Sequence, residues 1–300
     1  MKRQSCRPPF VLVSDFWFLR YHFHVRIKSH DLAVCSWSLQ PAGMAELVPL
    51  VGQLGLSHIQ LALGPLIFLD DKRKHFELGI LRDSGLILTA GMIAFPGEDY
   101  SSIARIRLTA GFLPDESWKL RKQITLQAAN LAGELGLKIL TCHAGFIPQS
   151  NQTDYPKLLG RVKELAQVFR DKGLILALET GQESAPELLQ FLNDLPGGNI
   201  AVNYDPANML LYGSGDPIEA IHTLSRHIRH VHLKDAVVSS LPAVEWGRDV
   251  TLGTGEVDFE ELFLTFSEIN YTGPVTIESE AGAQSVEEIR AAIAYLQKLT

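Results

Sequence analysis

Five ionisable side chains each close a short apolar run: His143 in ILTCHAG, Glu179 in LILALET, Asp205 in IAVNYDP, His232 in IRHVHLKD and Glu278 in PVTIESE. Glu179 and Asp205 lie 26 residues apart, and Asp205 and His232 lie 27 apart, one strand–helix unit each. His232 and Glu278 are 46 apart because a long loop, residues 236–257, intervenes. On neighbouring strands these last four side chains stand at equivalent heights and converge. Three carboxylates and an imidazole cannot share a partly buried mouth uncompensated, because like charges raise one another's pKa. A divalent cation resolves the repulsion. An oxygen-rich set favours one Mn²⁺, Mg²⁺ or Co²⁺ ion over a thiolate-loving metal, with Zn²⁺ also compatible. A single glutamate at a strand end is often a cap or a solvated loop residue; the joint register is what points to a metal.

The elements that must position these residues are regular. Apolar runs of strand length fall at residues 32–37, 58–63, 86–92, 138–143, 174–179, 199–205, 228–234 and 274–278. Their length and branched content predict strands buried on both faces. Between them lie punctuated helices. One opens at Asp154-Tyr-Pro156, carries the stripe Leu158, Val162, Leu165, Ala166 and Phe169, and closes at Gly173. Capping-box spacing recurs at Ser184/Glu187 and Ser285/Glu288, with Asp258/Glu261 as an aspartate version. Eight βα units in about 270 residues predict a single (β/α)8 TIM barrel over residues 31–300, whose chemistry sits at the carboxyl ends of the strands. The first strand lacks a GxGxxG turn and no Walker motif occurs, which removes the main support for an open nucleotide-binding sheet.

Residues 1–30 stand apart as an irregular N-terminal extension expected to be poorly ordered. They carry six basic residues against Asp15, leaving a net charge of −12 on the rest of a −7 chain of 300 residues. An acidic body argues against a nucleic-acid surface. Asp15 and Arg20 interrupt the aromatic-rich stretch that would otherwise resemble a signal peptide or membrane span. Cys6, Cys35 and Cys142 are odd in number and scattered, as in a reducing compartment. The expectation is a cytoplasmic protein with a small-molecule partner and no membrane or nucleic-acid partner. A homo-oligomer is compatible with the sequence, which leaves the oligomeric state open.

LALETGQE, NYDPANML, HVHLKD, LGTGEVDFEEL and YTGPVTIESE together resemble the sugar phosphate isomerase/epimerase superfamily, the xylose isomerase-like TIM barrels. The resemblance covers residues 31–300 and is densest after Leu174. Its ketose 3-epimerases imply one divalent metal on Glu179, Asp205, His232 and Glu278, with Glu179 and Glu278 as the proton-transfer pair. HVHLKD is also similar to inosose dehydratases. Departures are visible: Asn208 replaces a second histidine, Val238 an arginine, and Gln60 a glutamate found in many relatives. The resemblance extends to endonuclease IV, but Asn208, Asp249 and a strand LILTAGM without histidine leave its three-metal site incomplete.

The resulting expectation is an isomerase or epimerase of a ketose, ketose phosphate or related polyol ketone, working through an enediolate. A lyase of the inosose dehydratase type is the alternative. A phosphodiester hydrolase and a non-catalytic sugar-binding barrel stand further back. His143, Asn208, Lys234, Asp235 and Trp37 are expected at the substrate, with Trp246 as a wall or a packing residue. Gly253–Gly255 or Gly282 would suit a phosphate. His230 is expected to point away from His232, toward the helices, and His58, His75, His222 and His227 to be structural.

Overall fold

The computed structural model of the chain describes residues 24–280 and 285–299. Eight parallel strands close into a barrel: β2 (His30–Cys35), β3 (His58–Ala62), β4 (Ile87–Ile93), β5 (Ile139–Cys142), β6 (Ile175–Glu179), β7 (Ile200–Tyr204), β8 (Ile228–Leu233) and β11 (Val275–Ile277). Each pairs with the next in that order, and the β11–β2 and β2–β3 ladders complete the ring. The strands match the predicted apolar runs to within a few residues. Trp37 lies past the end of β2, in a short 3-10 turn, Ser36–Leu39.

The chain is already structured before residue 31. A short strand, β1 (Arg26–Ile27), folds back antiparallel on β2 within the stretch expected to be poorly ordered. Residues 1–23, most of the expected extension, lie outside the described residues. The loop expected over 236–257 contains a hairpin, β9 (Asp235–Val237) paired antiparallel with β10 (Arg248–Val250).

The outer ring follows from helix patterning. Tyr155–Asp171 buries Leu158, Val162, Leu165, Ala166 and Phe169, the stripe read from the sequence. Ser184 and Glu187 form a reciprocal capping box at the helix Ala185–Asn193, and Asp258 accepts from the backbone N–H of Glu261. The Ser285 side chain of the third expected box lies outside what is described. Among the described residues, no helix is long and apolar enough to cross a membrane.

Candidate metal centre and active site

β6, β7, β8 and β11 are consecutive around the barrel, and their carboxyl ends carry the four expected ligands. One donor atom from each of Glu179, Asp205, His232 and Glu278 lies within 4.8 Å of the others, and all four residues are buried. His232 Nδ1 faces Glu278 Oε2 at 3.3 Å, Glu179 Oε1 at 3.4 Å and Asp205 Oδ2 at 3.7 Å. His232 Nε2 lies 2.6 Å from Gln60 Oε1, an oxygen that can only accept. In the neutral ring the proton therefore sits on Nε2, which turns the Nδ1 lone pair toward the carboxylates as a metal ligand requires; without a metal the surrounding carboxylates favour a second proton on Nδ1. Gln60 is itself oriented by donating to Thr141 Oγ1 at 2.8 Å.

This donor set fits a divalent ion. Asp205 Oδ2 and Glu278 Oε2 are buried without a hydrogen-bond partner, and both face the same nitrogen. Buried carboxylate oxygens normally find donors, because an unpaired one carries its full desolvation cost. Burial alone would lower the His232 pKa, yet Glu179, Cys35 and Glu278 drive it well above normal. The cluster thus carries negative charge in excess and demands a positive species at its centre. Burial also pushes Asp205 up, whereas Glu278 is held well below its usual range because Lys234 and His232 outweigh its burial.

The two glutamates are held differently. Glu179 Oε1 accepts from Asn208 Nδ2 at 2.9 Å and Oε2 from Asn203 Nδ2 at 3.1 Å. Glu278 Oε1 accepts from the Trp37 indole N–H at 2.8 Å, and the Lys234 ammonium lies 3.6 Å from Oε2. Burial opposes the Lys234 charge, but Glu278, Glu280, Asp205 and Asp249 more than offset that and keep it protonated.

His230 corrects the sequence expectation. Residues i and i+2 of a strand share a face, so His230 points into the barrel with His232, one layer below it. Fully buried, it lies with Nδ1 2.8 Å from Asn203 Oδ1 and Nε2 near Thr276 Oγ1 (3.2 Å) and Thr89 Oγ1 (3.3 Å). Burial drives its pKa well below normal, so the ring is neutral. It donates through Nδ1 to the Asn203 carbonyl, which turns the Asn203 amide N–H toward Glu179. Asn203 was missed in the sequence, although its place two residues before Asp205 puts it on the same face.

Asp235 is also relocated. Its carboxylate accepts from the backbone N–H groups of Ala236, Gly253, Gly255 and Val257 at 2.8–3.1 Å. It organises the loop and does not line the cavity. The glycines serve this packing: a Cβ on Gly255 would sit 2.2 Å from Asp235 Oδ1, and Gly253 has φ +88°. Their N–H groups are spent on Asp235, which leaves no phosphate cradle there. Gly282 lies outside the described residues.

The metal set opens onto a cavity of about 280 Å³ lined by His143, Asn208, Lys234 and Trp246, together with Tyr100, Tyr212, Asp249 and Glu280. His143 Nε2 is 3.7 Å from Glu179 Oε1. Trp246 packs edge-on against Tyr212, with ring centroids 4.7 Å apart. Tyr100, Asp249 and Glu280 had no substrate role in the sequence expectation; Tyr100 comes from a loop, Asp249 from β10 and Glu280 from the segment after β11. Beneath the site, burial pushes the Cys35 thiol up to about 12, which removes it as a nucleophile.

Fold and site together define a (β/α)8 barrel with an acidic, metal-ready mouth. Residues 68–299 match the xylose isomerase-like TIM barrel family, and the chain belongs to it. A xylose isomerase domain protein from Planctomyces limnophilus is 31% identical, with a TM-score of 0.81 over 89% of this chain and 95% of that one. Inosose dehydratase of Clostridium botulinum (strain Alaska E43 / Type E3) is 27% identical over 145 residues, 43% of this chain and 48% of that protein. The chain therefore matches about half the length of that curated relative. D-psicose 3-epimerase from Clostridium cellulolyticum H10, solved with D-tagatose, shares the fold at 16% identity, with a TM-score of 0.65 over 89% of this chain and 98% of that one. The dehydratase and the epimerase are enzymes.

Proposed function

We propose that the protein is a divalent-metal-dependent enzyme that removes a proton next to the ketone of a polyol, acting as an isomerase or epimerase. The observation that carries this is the buried Glu179, Asp205, His232 and Glu278 set, with two unpartnered carboxylate oxygens facing one imidazole nitrogen. A bound divalent ion would supply Lewis-acid polarisation of the ketone and its neighbouring hydroxyl. Glu278, whose Oε2 has no hydrogen-bond partner, takes the proton from the α-carbon. The C–H electron pair forms the enediolate double bond, and the carbonyl oxygen takes the negative charge. For inversion, Glu179 takes up a proton from solvent and delivers it to the opposite face of the enediolate, while Glu278 releases to solvent the proton it took; return of the Glu278 proton to the neighbouring carbon gives aldose–ketose isomerisation.

The cavity wall favours an uncharged substrate over a phosphate ester. Glu179, Asp249, Glu278 and Glu280 line it, and Lys234 is its only lysine or arginine among the described residues. That ammonium is already shared with Glu280 at 3.1 Å and with Asp249 and Glu278 at 3.6 Å. Lys234 also favours a second reading, dehydration in the manner of the inosose dehydratase relative. There the enediolate electrons expel a β-hydroxyl, which leaves as water with a proton from the Lys234 ammonium.

A panel of ketoses, ketose phosphates and inososes, assayed in D₂O with Mn²⁺ or Mg²⁺, tests these readings. Solvent deuterium at the α-carbon is expected for a neutral ketone, and Glu278→Gln should abolish it. A new ultraviolet-absorbing enone identifies the lyase branch. Absence of metal binding, or exchange retained in Glu278→Gln, would remove the mechanism.

A further inference from the structure

The amino-terminal end of the barrel, opposite the active site, holds a second group of metal-ligating side chains. His58 is the first residue of β3, Asp31 the second of β2, and His24 lies just before β1. The β2–β3 ladder pairs Ala33 with His58, which brings Asp31 alongside it. The His24 and His58 rings meet edge to face with centroids 5.1 Å apart. A ring nitrogen from each histidine and an Asp31 oxygen all lie within 4.8 Å of one another. Ser57 Oγ, 3.1 Å from His58 Nδ1, steadies the buried ring, while His24 is exposed and leaves the group open to solvent.

We propose that His24, Asp31 and His58 bind a zinc-type divalent ion that clamps the chain entering the barrel onto its first two parallel strands. Two imidazoles and one carboxylate suit Zn²⁺ better than the hard ions favoured at the oxygen-rich mouth. Ligands about 2.0–2.1 Å from a tetrahedral ion stand about 3.4 Å apart, so the three donors must close by up to roughly an ångström and a half. Arg26 Nε, 3.3 Å from Asp31 Oδ1, is the competitor; both side chains are about half exposed, and a partnership so hydrated is cheap to replace. At this end of a barrel such an ion would act on stability and not on chemistry. It would tether residue 24 to strands that begin at residues 30 and 58.

Zinc titration of the full chain, read by calorimetry and thermal melting, tests the clamp. The Asp205→Ala/His232→Ala background removes the mouth as a competing site. One zinc per chain is expected there, with a rise in Tm. Adding His24→Ala, at an exposed position, should weaken binding at least about tenfold and remove the rise. His24→Ala alone should leave sugar turnover unchanged. No zinc bound in that background, or binding that His24→Ala does not alter, overturns the proposal and leaves the function proposed for the mouth untouched.

Discussion

Glu179 and Glu183 are four residues apart, both buried, and their pKa values are pushed in opposite directions. Burial presses each carboxyl upward. At Glu179 the imidazoles of His143 and His232 outweigh it and hold the group below its usual range. Two side-chain amides add donors that favour the anion. At Glu183 nothing comparable answers. Burial, with the Glu187 carboxylate nearby, lifts it to about 8, and Oε2 has no partner. Depth alone therefore does not decide whether a carboxyl is ready to hold a cation; the donors assembled around it do.

The sharpest way to break this contrast is to neutralise the ionised member. Glu179→Gln should abolish tight Mn²⁺ or Mg²⁺ binding and reduce α-proton exchange by about 10²–10⁴-fold, measured by calorimetry and NMR. Removing the acid from the other member should act on stability instead. Glu183 in the folded state has a pKa raised from the usual 4.5 to about 8, so its favourable contribution is complete below pH 4.5 and lost as pH rises through 8. Glu183→Gln should therefore gain stability over the natural chain between pH 5 and 9, by a few kcal/mol at most, with turnover little changed. Equal Tm differences at both pH values would refute the assignment. Stripping one donor from Glu179 should have a smaller effect: Asn208→Leu is expected to cost about 10–100-fold in metal affinity. Smallest is Thr276→Val, which removes one hydroxyl from His230 and should cost about 1 kcal/mol in stability, with only a slight loss of metal affinity.

The same contrast marks what could be read from the residues alone. Glu179, Asp205, His232 and Glu278 were legible because strand ends recur with the βα unit, and a barrel brings such ends together. The ring of strands was legible from its apolar runs. Asp235 was misplaced because its carboxylate serves four backbone N–H groups up to 22 residues away, a pattern that only the folded loop creates. His230 required only that period two be applied correctly. Asn203 needed its partner: an asparagine inside a barrel announces nothing until the glutamate and histidine it joins are placed. The neighbours of His58 were hidden for the same reason: Asp31 reaches it only through the β2–β3 ladder, and His24 only once β1 folds back.

The Asp235 loop has a consequence for the cavity. Its two ends are fastened to each other, through the β9–β10 ladder and through the Asp235 carboxylate, before the chain returns to the outer helices. The entropy of closing that excursion is thus met in part locally. The tip delivers Trp246, next to β10's Asp249, to the cavity wall, while the four residues proposed to hold the metal stay at the strand ends. Residues 238–247 are also held by the helix Pro206–Tyr212, where the Gly247 N–H donates to the Leu211 carbonyl and Trp246 packs on Tyr212, so a change in the tip reshapes the cavity wall through that helix and not through the strands.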